Sequence, residues 1–429
     1  MREMKDSGFE WIGDIPANWR LSKIDSVYHL RNTKVSDRDY MPLSVTMSGI
    51  VPQLESAAKT NAHDDRKLVK KGDFAINSRS DRRGSCGISD YDGSVSLINT
   101  VLAPAEQMNP GYFNWLFHTI QFGDEFYKWG HGIVDDLWTT GWQDMRKITI
   151  PLPPVEEQEI IADFLDAKCA EIDVLTAEIQ TQIDTLEQYK RSVITEAVTK
   201  GLNPDAEMKD SGIEWIGKIP KEWTTTRFKQ YIKNVSSGLS AVTNDASEDS
   251  GKYILRTSAV SSERFIESEV KAVTKEAEYR LICPVEADTV VMSRMNTSAM
   301  VGACAYIAKN CENLFIPDKL WKIKFTAELS AKYAWYLINS APVRGWFGSI
   351  STGTSASMQN ISLTDFYNTC VPIPKLREQK QISDYLDAKC EDIDGAIDGK
   401  RQQLETLAEY KKALIYEYVT GKKEVPANA

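Results

Sequence analysis

The chain has 429 residues, 42% apolar and 26% charged, a composition that describes a soluble globular protein of two or more domains. No run approaches the ~18 consecutive apolar residues of a membrane span, and the N-terminus carries no charged-then-apolar leader, so neither a span nor a signal peptide is expected. The net charge of −10 speaks against nucleic acid only until it is mapped. Residues 149–200 hold 4 Lys+Arg against 11 Asp+Glu, whereas residues 20–148 hold 16 and 16, and residues 224–370 hold 16 and 14.

Residues 4–19 read MKDSGFEWIGDIPANW and return at 208–223 as MKDSGIEWIGKIPKEW, identical at 12 of 16 positions. The second copy contains a G-x-x-x-x-G-K spacing at 212–218, which resembles a phosphate-cradling loop. The chemistry fails: Ile219 follows the lysine where a Ser or Thr must hold magnesium. Glu214, Trp215 and Ile216 are too bulky for a glycine-rich cradle, and the first copy places Asp14 where Lys218 stands. This is a repeat, not a nucleotide site.

A first variable segment follows, of mixed α/β character. "GDFAINSRS" at 72–80 reads as a strand entering a Ser-Arg loop, with Cys86 just beyond in a G-x-C step. At 151–173 the chain reads PLPPVEEQEIIADFLDAKCAEID, where prolines end an extended stretch and Glu156 and Glu157 place acid in a helix's first turn. Ile172, Leu175, Ile179, Leu186, Tyr189 and Val193 recur on three- and four-residue steps, which predicts a coiled-coil seam with Gln182 in a polar slot. Gly201 is placed to cap this helix, about 42 residues or roughly 60 Å long.

After 208–223 the plan repeats. "ADTVVMSRM" at 287–295 matches the earlier strand and loop, and Cys304 the earlier cysteine; both cysteines read as small buried residues. At 372–394 the sequence PIPKLREQKQISDYLDAKCEDID opens a second helix, with Ile393, Ala396, Lys400, Leu407, Tyr410 and Leu414 on the matching seam and Gln403 in its polar slot. Gly421 caps its end. The copies are offset by 204 residues at the first motif and 221 at the second, so the second variable segment is 17 residues longer. A period near 200 residues is a duplicated domain. Seven cysteines without a C-x-x-C pair point to a reduced, cytoplasmic protein, and four histidines without H-x-x-x-H spacing argue against a histidine metal site.

The twin E-W-I-G-x-I-P-x-x-W motifs and twin P-x-P-x-x-E-Q-x-x-I-x-x-[FY]-L-D helix starts resemble the specificity subunit of type I restriction–modification systems (HsdS), over nearly the whole chain. The resemblance implies an α+β fold: two mixed α/β target-recognition domains separated by two long helices packed as an antiparallel coiled coil, in a pseudo-twofold repeat. The expected boundaries are 1–150 for the first domain, 151–203 for the first helix, 204–371 for the second domain and 372–429 for the second helix and tail. Each domain would read one half of a bipartite, asymmetric site in double-stranded DNA, and helix length would set the gap, much as dimer geometry sets half-site spacing. The partners implied are two adenine methyltransferase subunits and motor-nuclease subunits, with no membrane. S-adenosylmethionine, ATP and Mg would sit on those partners and no cofactor on this chain.

Candidate DNA-reading residues follow from side-chain chemistry. In the first domain Arg66, Lys67, Lys70 and Lys71 form a basic run suited to phosphates, and Arg79, Ser80, Arg82 and Arg83 occupy the Ser-Arg loop. The second domain offers Arg294, Asn296 and Thr297 in the matching loop. Later stretches add Trp138, Thr139 and Thr140 in one domain, and Thr352, Thr354, Ser355, Gln359 and Asn360 in the other. Glu157, Gln158, Glu378 and Gln379, at the helix starts, are the candidate methyltransferase contacts.

A methyltransferase or nuclease within this chain is the competing enzyme reading. The nearest approach to an [NDS]-P-P-[YFW] motif, Asn203-Pro204-Asp205-Ala206, lacks the second proline and the ring. Neither a Walker A loop nor a strand-borne D-x-n-[ED]-x-K pattern occurs, so no catalysis is expected here. A coiled-coil adaptor for two protein partners is the other reading. Against it, the motifs agree between copies while the domains diverge, which suits two different DNA half-sites.

Overall fold

A computed structural model describes residues 2–55, 63–79, 82–132, 138–239, 249–355 and 358–426. The repeated motif folds as a hairpin in each copy. Met4–Asp6 pairs with Asp14–Pro16, and Met208–Asp210 with Lys218–Pro220, in the same register. The chain enters the returning strand through Gly13 (φ 67°) and Gly217 (φ 73°), a left-handed conformation that strains any residue bearing a Cβ. Asp14 and Lys218 stand exposed on that strand, so exchanging them leaves the hairpin intact. Trp19 and Trp223 close the motif from inside, both fully buried.

The chain divides into two compact units that do not follow chain order. One joins Met1–Gln180 to Arg401–Ala429, and the other is Thr181–Lys400. Each long helix therefore changes unit near its middle, whereas the sequence boundaries were drawn at its ends.

The first unit is built on an antiparallel sheet ordered Tyr28–Leu30, Asn99–Pro104, Phe74–Asn77, Cys86–Ile88. Helices Pro110–Phe117 and Ile120–Lys128 cover it, with Tyr28, Phe74, Phe113, Phe117 and Phe122 in one aromatic core. Asn109 caps the first helix by accepting from the Tyr112 amide, and Pro110 fits the first turn because its missing N–H is not needed there. A second sheet of Lys34–Val35, Arg66–Val69 and Gly93–Ser96 stands beside a hairpin, Leu43–Thr46 with Gly49–Pro52.

The second unit repeats the central sheet in the same order: Ile232–Ser236, Leu320–Phe325, Thr289–Ser293, Cys304–Ile307. Helices Ala331–Asn339 and Ala341–Ile350 take the covering role. Beside it stands a sheet of Val270–Thr274, Asp249–Leu255, Cys311–Phe315 and Pro284–Val285. A further sheet joins Met295–Asn296, Met358–Asn360 and Thr352–Ser355.

The long helices are Val155–Lys200 and Leu376–Val419, 46 and 44 residues. Gly201 (φ 75°) and Gly421 (φ 71°) follow their ends in the left-handed capping conformation. In the first unit the opening half of the first helix runs antiparallel to the closing half of the second. Phe164 packs on Tyr418 with ring centroids 4.6 Å apart, and Asp173 pairs with Lys411 at 2.6 Å. In the second unit the counterparts exchange roles, Lys190 pairing with Asp394 at 2.8 Å. Tyr112 Oη donates to the Val419 carbonyl at 2.7 Å, and Tyr333 Oη to the Val198 carbonyl at 3.2 Å, again counterparts at the 221-residue offset.

The seam is half as expected. The seven-residue series through Ile172, Ile179, Leu186 and Val193, and through Ile393, Lys400, Leu407 and Leu414, is buried or half-buried. The second series lies four residues further on, not three: Thr176, Ile183, Lys190, Ala197, and Ile397, Leu404, Lys411, Tyr418. Leu175, Gln182 and Tyr189 face solvent, as do Ala396, Gln403 and Tyr410. Steps of three and four flank the same stripe of a 3.6-residue helix, so apolar Leu175 and Tyr189 mimic seam positions in the sequence. Lys190 and Lys411 fit because their stems pack while their ammonium groups reach Asp394 and Asp173.

Candidate nucleic-acid interface

In the first domain, Phe74–Asn77 carries the chain from the buried sheet into the Ser-Arg loop. Arg79 there forms a backbone bridge with Thr139, and the Thr140 amide donates to the Ser78 carbonyl at 2.9 Å. Two candidate stretches some 60 residues apart in sequence thus share one edge. Trp138 and Thr140 fix that edge from within. The Trp138 indole donates to the Tyr127 carbonyl at 2.9 Å, and the fully buried Thr140 hydroxyl to the Phe126 carbonyl at 2.8 Å. Arg83 lies over the Tyr127 ring at 4.0 Å and pairs with Asp124. The half-buried Arg79 guanidinium has no hydrogen bond or ion pair among the described residues. Ser80 lies outside the described residues.

An open groove of about 720 Å³ runs along this edge, with Arg66, Arg79, Arg82 and Arg83 in its lining and no carboxylate among the described lining residues. Asn77, Asn99 and Gln53 supply amides there. Positive charge with amide donors and acceptors is the chemistry of phosphate and base-edge contact. The other lysines do not join it. Lys70 and Lys71 are exposed at the turn before Phe74, at the opposite end of that strand from Arg79. Arg66 is buried, donating to the Ser94 hydroxyl and carbonyl at 2.8 Å each, and Lys67 donates to the Asn99 carbonyl at 2.7 Å. Burial lowers the pKa of both cations. The basic run seen in sequence is therefore two internal braces and two surface lysines.

In the second domain the strand Thr289–Ser293 likewise ends at the Ser-Arg loop, and Met295 and Asn296 pair with Asn360 and Gln359. Thr352 and Ser355 lie on the adjoining strand, so the two candidate stretches of this domain also meet on one small sheet. Thr297, Thr352 and Ser355 are exposed, and the side chain of Thr354 lies outside the described residues. Arg294 is half-buried, its Nε donating to the Asp318 carbonyl at 3.0 Å. Gln359 donates to the Ser355 carbonyl at 2.8 Å, and the buried Asn360 Oδ1 has no hydrogen-bond partner among the described residues.

The helix-start residues turn inward. Gln158 accepts from the Asn109 amide at 2.9 Å and donates to the Pro153 carbonyl at 2.9 Å. Gln379 accepts from the Ser330 amide and donates to the Glu328 and Pro374 carbonyls. Both glutamines are fully buried, so as folded they offer a partner no surface. Glu157 pairs with Arg2 and accepts from the Trp19 indole at 2.7 Å, and Glu378 is half-buried near Gly201. Exposed apolar side chains flank the first helix start at Val155 (40%) and Ile160 (53%), and an adjacent exposed pair, Val174 (60%) and Leu175 (43%), lies further along that helix.

Cys86 and Cys304 are fully buried, and burial pushes both thiols far up. His118 stands 3.6 Å from the Cys86 sulfur, but a thiol held protonated is no nucleophile. Among the described residues no group of three or more His, Cys, Asp or Glu is placed to hold a metal, and no helix is long and apolar enough to cross a membrane.

The family model for the type I restriction modification DNA specificity domain matches residues 16–185 and 220–406. The specificity subunit of type I restriction enzyme MjaVIII from Methanocaldococcus jannaschii is 24% identical over 353 residues, 78% of this chain and 76% of that one. The EcoKI specificity subunit of Escherichia coli K12 is 25% identical over 239 residues, 55% of this chain and 49% of that one. The HsdS subunit from Thermoanaerobacter tengcongensis superposes with a TM-score of 0.51 at 16% identity, over 95% of this chain and 98% of that one. A chain from a study of complex assembly and conformational transition in the type I R-M system superposes with a TM-score of 0.71 at 15% identity, over 95% and 99%. These superpositions speak to fold; the family match speaks to both domains and both helix starts. The chain belongs to the type I restriction–modification DNA specificity family.

Proposed function

We propose that this chain is the non-catalytic recognition subunit of a type I restriction–modification complex, in which each domain reads one half of a bipartite, asymmetric DNA site. The observation that carries the reading is the convergence, in both domains, of the Ser-Arg loop with the later polar stretch on one edge. The two edges differ in composition, one lined by arginines and the other rich in Thr, Ser, Asn and Gln, which supports different half-sites. The long helices hold the spacing between half-sites and dock two adenine methyltransferase subunits, with motor-nuclease subunits joining the complex. S-adenosylmethionine, ATP and Mg act on those partners, in the cytoplasm.

The test is co-expression with the neighbouring methyltransferase subunit and modification-sensitive sequencing of host DNA. Methyladenine in a split motif is expected, with one half changing when residues 224–370 are exchanged for those of another family member. In the same assay, four residues inserted into each helix lengthen the unread gap. A stable complex that leaves no methylation would return weight to a protein adaptor.

For docking, the glutamines are turned inward, and the adjacent exposed apolar pair Val174 and Leu175 is the largest such step on the first helix. Val174→Glu with Leu175→Glu is expected to weaken co-purification with the methyltransferase by roughly tenfold or more, as loss of a buried apolar anchor does. Undiminished retention on the same affinity column would remove this face from the interface.

A further inference from the structure

The hairpin Leu43–Thr46/Gly49–Pro52 is a rigid prong. It is anchored by Leu43 at its root and Ile50 near its tip, both buried in a cluster with Val69, Ala75, Val95 and Val101. Gly49 seats it against the central sheet: a Cβ at Gly87 would come within 2.8 Å of the Gly49 Cα, so no larger residue fits between them. The two-residue tip is locked, since the Thr46 hydroxyl donates to the Gly49 carbonyl at 2.8 Å and accepts from the Ser48 amide at 3.2 Å. Gly49 itself takes φ 102°, a value that glycine alone adopts without strain. At this fixed tip stands Met47, 73% exposed.

An apolar side chain at the end of a braced ribbon has no use in the isolated fold. Its surroundings say what it faces. Met47 lines the same groove as Arg79, Arg82 and Arg83, so one wall of the groove is a β-ribbon with an apolar tip and the other an arginine loop. The DNA major groove admits a two-stranded ribbon, and its apolar feature is the thymine 5-methyl group. Methionine, unbranched and polarisable, adapts to such a target better than a branched side chain.

We infer that Met47 reads a thymine methyl in the first half-site, as an apolar specificity contact beside the arginine loop. This rests on the DNA-reading function proposed above. The experiment uses the full chain in complex with its methyltransferase subunit, on oligonucleotides carrying the motif found by sequencing. Each thymine of the first half-site, on either strand, is replaced in turn by deoxyuridine, which lacks only the methyl. One substitution is expected to weaken binding about fourfold, the value of one buried methyl. Met47→Ala should weaken binding to the thymine duplex by a similar factor or more, and should be indifferent to that uracil, since the two changes remove the same contact. Met47→Gln, which keeps the chain length, guards against a collapsed hairpin and should also lose the thymine–uracil distinction. A uracil effect that persists undiminished in both variants overturns the inference, as does wild-type indifference to every uracil or a first half-site without thymine. In each of those cases sequence-specific binding through the second half-site would still stand, whereas loss of all specific binding in the wild type would count against the proposed function itself.

Discussion

Gln379→Leu is expected to destabilise the second unit by about 3 kcal/mol or more, though leucine nearly matches glutamine in volume. The side chain is fully buried and makes three hydrogen bonds: from the Ser330 amide at 2.8 Å, to the Glu328 carbonyl at 3.0 Å and to the Pro374 carbonyl at 2.9 Å. Leucine leaves one N–H and two carbonyls without this partner, and each buried group left unmade costs about 1–3 kcal/mol. The loss also falls on a joint. Ser330 caps the helix Ala331–Asn339, and Gln379 ties that cap to the first turn of the second long helix. Gln158 makes the matching joint in the first unit through the Asn109 amide, and Gln158→Leu should cost a similar amount there. Gln182→Leu, on the exposed face of the first helix, should stay within about 0.5 kcal/mol. Denaturant unfolding of the three variants gives the comparison. Equal midpoints for Gln379→Leu and Gln182→Leu would show that the buried amide is not a structural joint.

These glutamines also show what a single sequence conceals. Gln158 and Gln379 recur in both copies, and repetition beside acidic first turns reads as a surface kept for a partner. The structure uses them to join helix to domain, a role that depends on residues 49 positions upstream. Local features were legible: glycines at turns and caps, prolines before helix starts, the period of the long helices. Their physics is contained within a few residues. The seam was half legible, because the heptad period is local while the choice between three- and four-residue steps depends on the opposing helix. The basic run at 66–71 misled for a related reason. Charge is visible in sequence, but Arg66 sits on a strand whose partner, Gly93–Ser96, supplies the Ser94 oxygens that receive it. The meeting of Arg79 with Thr139 was not legible either, since each stretch could be named but nothing local pairs them. The prong carrying Met47 does leave a signal in the sequence: S-V-T-M-S-G-I-V alternates about a two-residue turn, Met47-Ser48, that is followed by a glycine.

Arg79→Ala should have the largest effect of any single change on DNA recognition. Its neighbours in the loop are engaged: Arg83 with Asp124 and Tyr127, and Arg82 with a partner of its own. The Arg79 guanidinium alone of the three lines the groove without an internal bond among the described residues. If it grips a guanine edge with both arms, alanine costs about 1–3 kcal/mol, a loss of roughly 5- to 150-fold confined to one base pair of the first half-site. If it meets a phosphate, binding falls evenly across all sequences and the slope of log affinity against log salt decreases by about one. Titrating the variant complex against single-base substitutions of both half-sites, at two or more salt concentrations, separates these outcomes. The base-reading outcome is expected, because the loop is braced at Thr139 and a fixed backbone favours a directed bidentate contact over a general one. Arg294→Ala should do less by this route, since its Nε already holds the Asp318 carbonyl and part of its loss is structural. Discrimination lost equally at both half-sites in Arg79→Ala would mean that the domains do not read independently.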